Sequence, residues 1–296
     1  MFEVGFGGAV ARDDWQTGAL EILIEALAAR PWSGDILLRG SLARGLADAD
    51  SDIDLAVTVA EGDFQAALGE LFHDLPKSLA GRLPGWIDSI VSDFGGTGIV
   101  YLFQRAPDKW GQIDIYLLPA GCRQRLLGHG NEFARCVRSG RAVAPSEAAT
   151  AETLDRERRR FMSFAAGTAE AGAMGCYVSA YLLRKRLVRG DGVQAFADTY
   201  ATARHVRDMI LRSCLPNRAD LGWRDIGQAA ETSSDPAVIL NAVATFTEGG
   251  VAKPVDLAAR VAALEQLAKL LAPALWSNHG DSLRSLGRYL AMGAQF

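Results

Sequence analysis

The sequence is poor in the residues that build zinc cages, disulfide frameworks and membrane spans. Only four of its 296 residues are cysteines, at positions 122, 136, 176 and 214, and none forms a CxxC pair. This spacing argues against a zinc cage or a thioredoxin-like motif, and favours free thiols. No apolar run reaches the roughly 18 residues of a membrane span, and no signal-peptide pattern is present. We therefore expect a cytoplasmic protein that does not enter a membrane.

A basic excess is also missing. The chain has 31 lysines and arginines against 35 acidic residues, which gives a net charge of −4. Long nucleic acids are bound through a clear local excess of basic side chains, so a long nucleic acid is not the expected partner. A local groove for a nucleotide remains compatible with this charge. Apolar residues make up 49% of the chain, enough for one large domain or two modest ones.

The first 120 residues predict alternating helices and strands. Helical spacing of apolar residues and short β-branched runs identify the elements. In chain order they are a helix over 13–30, strands over 35–39 and 53–59, a helix over 64–75, a hairpin of 89–94 and 99–103 around the glycine-rich turn 95–98, and a strand over 112–118 that ends at Pro119.

From about residue 150 onward the strand signals fade, and alanine, leucine and arginine recur at helical spacing. Candidate helices cover 153–170, 173–189, 194–213, 236–247, 255–271 and 280–292. The prolines at 216, 236, 254 and 273 mark helix boundaries or kinks. The fold class is therefore α+β, with an N-terminal domain over 1–145 and an all-helical C-terminal domain over 146–296. Gly140, Pro145 and Ser146 break the pattern near this division.

Two acids at the start of a predicted strand are the first candidates for chemistry. Asp52 and Asp54 are two residues apart, so strand alternation places them on one face, while Ile53 and Leu55 face the core. Neighbouring carboxylates repel each other and are costly to bury without a partner. A divalent cation resolves this repulsion, and Mg²⁺ prefers carboxylates together with phosphate oxygens and water. The pair is therefore suited to a metal-bound triphosphate.

A glycine–serine turn precedes these acids. Gly40 ends a strand and begins a turn into a short helix, where a phosphate can approach the backbone closely. Ser41 offers a hydroxyl and a backbone N–H at the helix start, and Arg44 lies one turn further along. This order of strand, turn, loop and Asp-x-Asp strand predicts phosphate donors beside metal-binding carboxylates.

The residues GSLARG at 40–45 and SDIDL at 51–55 resemble the GSxAxG…SDxDL signature of the DNA polymerase beta-like nucleotidyltransferase superfamily, especially its small prokaryotic and antibiotic-modifying members. The resemblance extends over about residues 20–145 in layout, and is sharp over 38–55. It implies a mixed sheet flanked by helices and followed by a helical domain. It also implies that Gly40 and Ser41 contact nucleotide phosphates, and that Asp52 and Asp54 ligate Mg²⁺.

Asp114 is the candidate for the third carboxylate that is common in this family. In the predicted strand, Gln112, Asp114 and Tyr116 share one face and two isoleucines share the other. Asp114 is a third metal ligand, a general base for the acceptor hydroxyl, or a solubility charge on an edge strand. Some antibiotic-modifying relatives use a glutamate instead, for which Glu132, Glu147 and Glu152 are weaker candidates.

Several other groups are more typical of structural roles. The histidines at 73, 129, 205 and 279 lack ligand spacing, and His205 is expected at the surface. Two basic groups are expected either on solvated helix faces or at the border of a nucleotide cleft. They are the run 156–160 and residues 184, 185, 186 and 189. Tryptophans 86, 110, 223 and 276 are expected in the core or at its rim.

By its resemblance the chain is a Mg²⁺-dependent enzyme. It would transfer a nucleoside monophosphate, from ATP in the first instance, to a hydroxyl of a small acceptor such as an aminoglycoside or lincosamide, and release pyrophosphate. The alternatives are a nucleotidyltransferase that modifies a protein partner of the toxin–antitoxin type, a nucleotide-binding module without catalysis, and a structural domain with a chance motif. Neither the acceptor nor the oligomeric state follows from the sequence.

Overall fold

The computed structural model describes residues 14–73, 82–88, 97–127, 134–140, 168–216, 222–248 and 256–292. These residues fall into two compact units. Residues up to 105 and from 111 to 140 belong to the first unit, and residues 106–110 and from 168 onward belong to the second. The predicted domain division at 145/146 lies outside the described residues and stays a prediction.

The first unit is built on a mixed sheet, as predicted. Its strands are β1 (Ile36–Leu38), β2 (Ile53–Val59), β3 (Trp86–Asp88), β4 (Thr97–Ala106), β5 (Lys109–Pro119) and β6 (Arg135–Arg138), and its helices are α1 (Asp14–Ala28), α2 (Gly40–Arg44), α3 (Phe64–His73) and α4 (Arg123–Leu127). The sheet order is β3-β4-β5-β2-β1-β6. Strands β2 and β5 are parallel, whereas β1 is antiparallel to both β2 and β6.

The main core lies on one face of this sheet. Alternate residues of β2 and β5, from Ile53 and Ile113 onward, are buried there against α1 and α3. A smaller apolar cluster on the opposite face contains Leu37, Ala56 and Tyr116. The strand alternation therefore separates a fully apolar face from a face that begins with acids and becomes apolar further along the strands.

The second unit is helical. Its helices are α5 (Ala169–Val188), α6 (Gly192–Cys214), α7 (Ile226–Thr232), α8 (Pro236–Thr247), α9 (Leu257–Leu271) and α10 (Pro273–Ala291). Helix α5 packs against α6, α9 and α10, and is buried on most of its circumference. The turn 106–110 belongs to this unit, where Asp108 accepts a hydrogen bond from Ser285 Oγ at 3.0 Å.

Side-chain caps explain where these helices begin. Thr168, Asp191, Asp235 and Asp256 each accept a hydrogen bond from the backbone N–H three residues later. A cap of this kind stabilises a helix by about 1 kcal/mol. Pro236 and Pro273 occupy the first turns of α8 and α10, where the missing N–H is not needed.

The structure corrects several boundaries. The predicted break between a helix ending at 170 and one beginning at 173 is wrong. Thr168 caps a single helix that runs without interruption from Ala169. Thr97 and Gly98 belong to β4 rather than to a turn, and Pro119 is still part of β5. Neither β6 nor α7 was predicted. The predicted strand 89–94 lies outside the described residues, although β3 and β4 do pair antiparallel.

Two expectations about side chains can also be compared with the structure. All four cysteines are free thiols, as predicted. His205 is partly buried rather than fully exposed, and its Nδ1 lies 2.7 Å from Ser179 Oγ. Among the described residues, no helix is both long and apolar enough to cross a bilayer.

The burial of His205 predicts a pH-dependent stability. Desolvation lowers the pKa of His205 below its ordinary value of 6.5, opposed by Asp208 and reinforced by Arg204 and Arg212. The unfolded chain therefore binds the proton more readily, and the free energy of unfolding falls as the pH drops below about 6.5. Urea unfolding of the wild type and of His205→Gln between about pH 5 and 8 measures this effect. Equal pH dependence in both proteins would contradict it.

Candidate active site

Three carboxylates converge where β2 begins beside the middle of β5. Asp52 directly precedes β2, Asp54 is its second residue, and Asp114 lies on β5. The parallel register places Asp54 opposite Asp114. Each of the three acids offers one ligand oxygen within 4.8 Å of the others, which makes them a group that could hold a metal ion. Asp52 and Asp54 are partly exposed, whereas Asp114 is buried. The sequence-predicted acids are thus brought together by one sheet register.

Asp114 is held by its neighbours on the same strand. Gln112 Nε2 donates to both carboxylate oxygens of Asp114, at 2.9 Å each. The Tyr116 hydroxyl donates to Asp114 Oδ2 at 3.2 Å. Because strand residues alternate, Gln112 and Tyr116 lie on the same face as Asp114. An edge-strand solubility charge does not describe Asp114, because β5 is an interior strand and the side chain is 4% exposed.

Arg39 lies in the same row of side chains. Its backbone N–H donates to the Asp54 carbonyl at 2.9 Å, which extends the pairing of β1 with β2. Its guanidinium group lies 4.7 Å from the centre of the Tyr116 ring and is buried with it. A buried cation therefore flanks the acid cluster. Arg39 was not among the predicted site residues. Its position immediately before the glycine–serine turn is the sequence feature that could have identified it.

The glycine–serine turn is packed directly against Asp54. Gly40 has a φ of +66°, and a Cβ at this position would overlap Asp54 Oδ2. Helix α2 then ends at Arg44, and Gly45, with a φ of 71°, forms its left-handed cap. Gly40 is predicted to let a phosphate approach the backbone closely. The structure adds a second reason for glycine here, because a larger residue would overlap the Asp54 carboxylate.

The loop between α2 and β2 is fixed by α1. The buried amide of Gln16 donates to the carbonyl oxygens of Asp48 and Ser51, at 3.0 and 2.8 Å. Within the loop, Ser51 Oγ donates to Asp48 Oδ1 at 2.7 Å. Ser51, the serine of the SDIDL motif, is thus a loop-ordering residue that places Asp52 at the start of β2.

The other sequence candidates are distributed differently. Arg44 is exposed in the last turn of α2, and its contact with phosphate stays a prediction. In the second unit, Arg184 donates to the Tyr289 carbonyl at 3.1 Å, so it caps the end of α10. Arg186 faces Asp198 at 3.7 Å. Glutamates 132, 147 and 152 and the basic run 156–160 lie outside the described residues.

The family-model match includes the glycine–serine turn and two of the three acids. Residues 20–89 match the family model of the nucleotidyltransferase domain, a range that contains Gly40, Ser41, Asp52 and Asp54. No curated protein matches the chain. Among solved structures, it is similar to a nucleotidyltransferase-like protein from Exiguobacterium sibiricum 255-15, at 13% identity over 90% of this chain and 78% of that chain, with a TM-score of 0.24.

Proposed function

We propose that this chain, whose residues 20–89 carry a nucleotidyltransferase domain, transfers a nucleoside monophosphate from a Mg²⁺-bound triphosphate to a hydroxyl group and releases pyrophosphate. The observation that supports this proposal most directly is the cluster of Asp52, Asp54 and Asp114, with ligand oxygens within 4.8 Å of one another. Three carboxylates this close repel one another unless a cation lies between them.

The donor set fits Mg²⁺. All three ligands are carboxylate oxygens, which suit hard divalent cations, and no cysteine or histidine of the described residues joins the cluster. Asp52, Asp54 and Asp114 would hold the ion. When bound, Mg²⁺ neutralises the charge of the triphosphate and orients it.

The turn beside the acids fits a phosphate. The absence of a side chain at Gly40 keeps the backbone close to Asp54. Ser41 Oγ is buried and has no hydrogen-bond partner in the described part of the protein, so it is available to a phosphate oxygen. Arg44 would add a positive charge at the rim of this turn.

The proposed reaction is a substitution at the α-phosphorus. A bond forms between the acceptor hydroxyl oxygen and this phosphorus, and the bond from the phosphorus to the bridging oxygen breaks. Pyrophosphate leaves with the electron pair of that bond, and the hydroxyl proton passes to a carboxylate or to water. The enzyme's residues contribute mainly by positioning and by charge complementarity. Asp114 acts either as a third metal ligand or as the base that receives this proton.

We propose ATP as the donor and a small hydroxylated compound of the aminoglycoside or lincosamide type as the acceptor. This finer assignment is supported by the resemblance of GSLARG and SDIDL to antibiotic-modifying nucleotidyltransferases and by the helical second unit. The net charge of −4 suits a cationic acceptor.

A pyrophosphate-release screen tests the function. We expect release only when Mg²⁺, one of the four common nucleoside triphosphates and a hydroxylated antibiotic are all present, and we expect Asp52→Ala to abolish it. Incubation with ATP and candidate protein partners, followed by mass spectrometry, would detect a protein acceptor instead. Magnesium-dependent triphosphate binding without release of pyrophosphate in any mixture would contradict the proposal and favour a nucleotide-binding module.

A further inference from the structure

We infer that Gln112 and Tyr116 are positioning residues, which fix the carboxylate of Asp114 for metal binding; this inference rests on the function proposed above. Both residues lie two positions from Asp114 on β5, one on each side. A carboxylate rotates freely about its last side-chain bond unless donors hold its oxygens. The contacts from Gln112 Nε2 to both oxygens, and from the Tyr116 hydroxyl to Oδ2, oppose that rotation.

The orientation of the Gln112 amide shows that its donor end is committed to Asp114. A flipped amide would direct Oε1 at two carboxylate oxygens, and three acceptors would then repel one another. In the observed orientation Oε1 is buried and has no hydrogen-bond partner among the described residues. Gln112 is 3% exposed. The amide therefore directs its donor group at the acid, which is the arrangement expected of a residue that orients Asp114.

The Tyr116 side chain that contacts Asp114 is itself packed in place. Its ring is packed in the small cluster with Leu37 and Ala56, and carries the Arg39 guanidinium at 4.7 Å. This packing opposes movement of the ring away from β5 and favours the position of its hydroxyl beside Oδ2 of Asp114. Because Asp114 is opposite Asp54 in register, fixing Asp114 also fixes the spacing between these two acids.

Tyr116→Phe and Gln112→Leu test this role, and Tyr101→Phe is the matched control. Tyr101 is also a buried tyrosine, but it packs in the main core and its hydroxyl donates to the Leu71 carbonyl. Each protein is titrated with Mn²⁺ alone, and its half-saturating Mg²⁺ concentration for pyrophosphate release is measured. We expect Tyr116→Phe and Gln112→Leu to weaken Mn²⁺ binding about 10-fold or more, as is typical when a partner of a metal ligand is lost.

The same two variants should need correspondingly more Mg²⁺, and high Mg²⁺ should restore much of their turnover. Tyr101→Phe should lower the unfolding midpoint and keep the wild-type metal dependence. If Gln112→Leu does not fold, Tyr116→Phe carries the test because it keeps the ring. Wild-type metal affinity in both folded variants would overturn the positioning role while leaving the enzyme proposal intact. Failure of the wild type to bind Mn²⁺ would instead overturn the proposed metal site, and the positioning role with it.

Discussion

Asp54→Asn is expected to reduce nucleotidyl transfer by about a thousandfold or more while the fold is retained. Asparagine keeps the size of the side chain but removes the charge that would bind the cation. Asp54 is also the residue opposite Asp114 in the strand register. A metal ion contributes several kcal/mol of charge stabilisation, and about 4 kcal/mol corresponds to a thousandfold in rate. The measurement is pyrophosphate release at saturating nucleotide and acceptor.

Stability separates a chemical role of Asp54 from a structural one. Removing one of three clustered acids relieves repulsion, so the metal-free variant should unfold at the same or a higher temperature than the wild type. The rise in unfolding temperature that Mg²⁺ and nucleotide give the wild type should be lost. Asp63→Asn, at an exposed acid just after β2, is the control and should behave as the wild type. Turnover of Asp54→Asn within tenfold of the wild type would refute the assignment.

Gly40→Ala is expected to lower turnover by about 100-fold or more, because the new Cβ would overlap Asp54 Oδ2. The backbone at Gly40 lies in the left-handed region, where a residue with a Cβ costs about 1–2 kcal/mol. The methyl group would also displace the carboxylate, and a misplacement of about 1 Å in an active site costs on the order of 100-fold. Steady-state turnover and urea unfolding are measured together.

Gly190→Ala provides a control with the same backbone strain. Gly190 has a φ of +71°, but no atom beyond its adjacent residues lies within 4 Å of the position that its Cβ would occupy. We expect Gly190→Ala to lose about 1–2 kcal/mol of unfolding free energy and to keep wild-type turnover. If Gly40→Ala lost unfolding free energy but kept wild-type turnover, as expected for Gly190→Ala, the contact between the turn and Asp54 would not contribute to catalysis.

Local pattern was enough to predict the parts of the site that lie close together in sequence. The two-residue period of a strand places Asp52 and Asp54 on one face, and the predicted bounds of β2 match the observed Ile53–Val59. The same alternation predicts that Gln112 and Tyr116 share a face with Asp114. Helix α8 was predicted at its observed bounds because Pro236 marks its start.

Features that depend on pairing between distant segments could not be predicted in the same way. The spacing of Asp54 and Asp114 follows from a parallel register between strands 60 residues apart, which no local pattern encodes. Strand β6 is short and has arginines at both ends, so its composition resembles a loop until it pairs with β1. His205 follows Arg204 in sequence, which suggested an exposed position, and only the packing of α6 against α5 places it beside Ser179.

The parallel pairing of β2 with β5 also limits which insertions and deletions this lineage can tolerate. Turns can gain or lose residues without disturbing the acids, because the strands on either side keep their partners. One residue added to β5 ahead of Asp114 would send that side chain into the apolar core and bring an isoleucine opposite Asp54. Length variation among homologues should therefore be concentrated in the connecting loops, and the strand cores should keep a constant length.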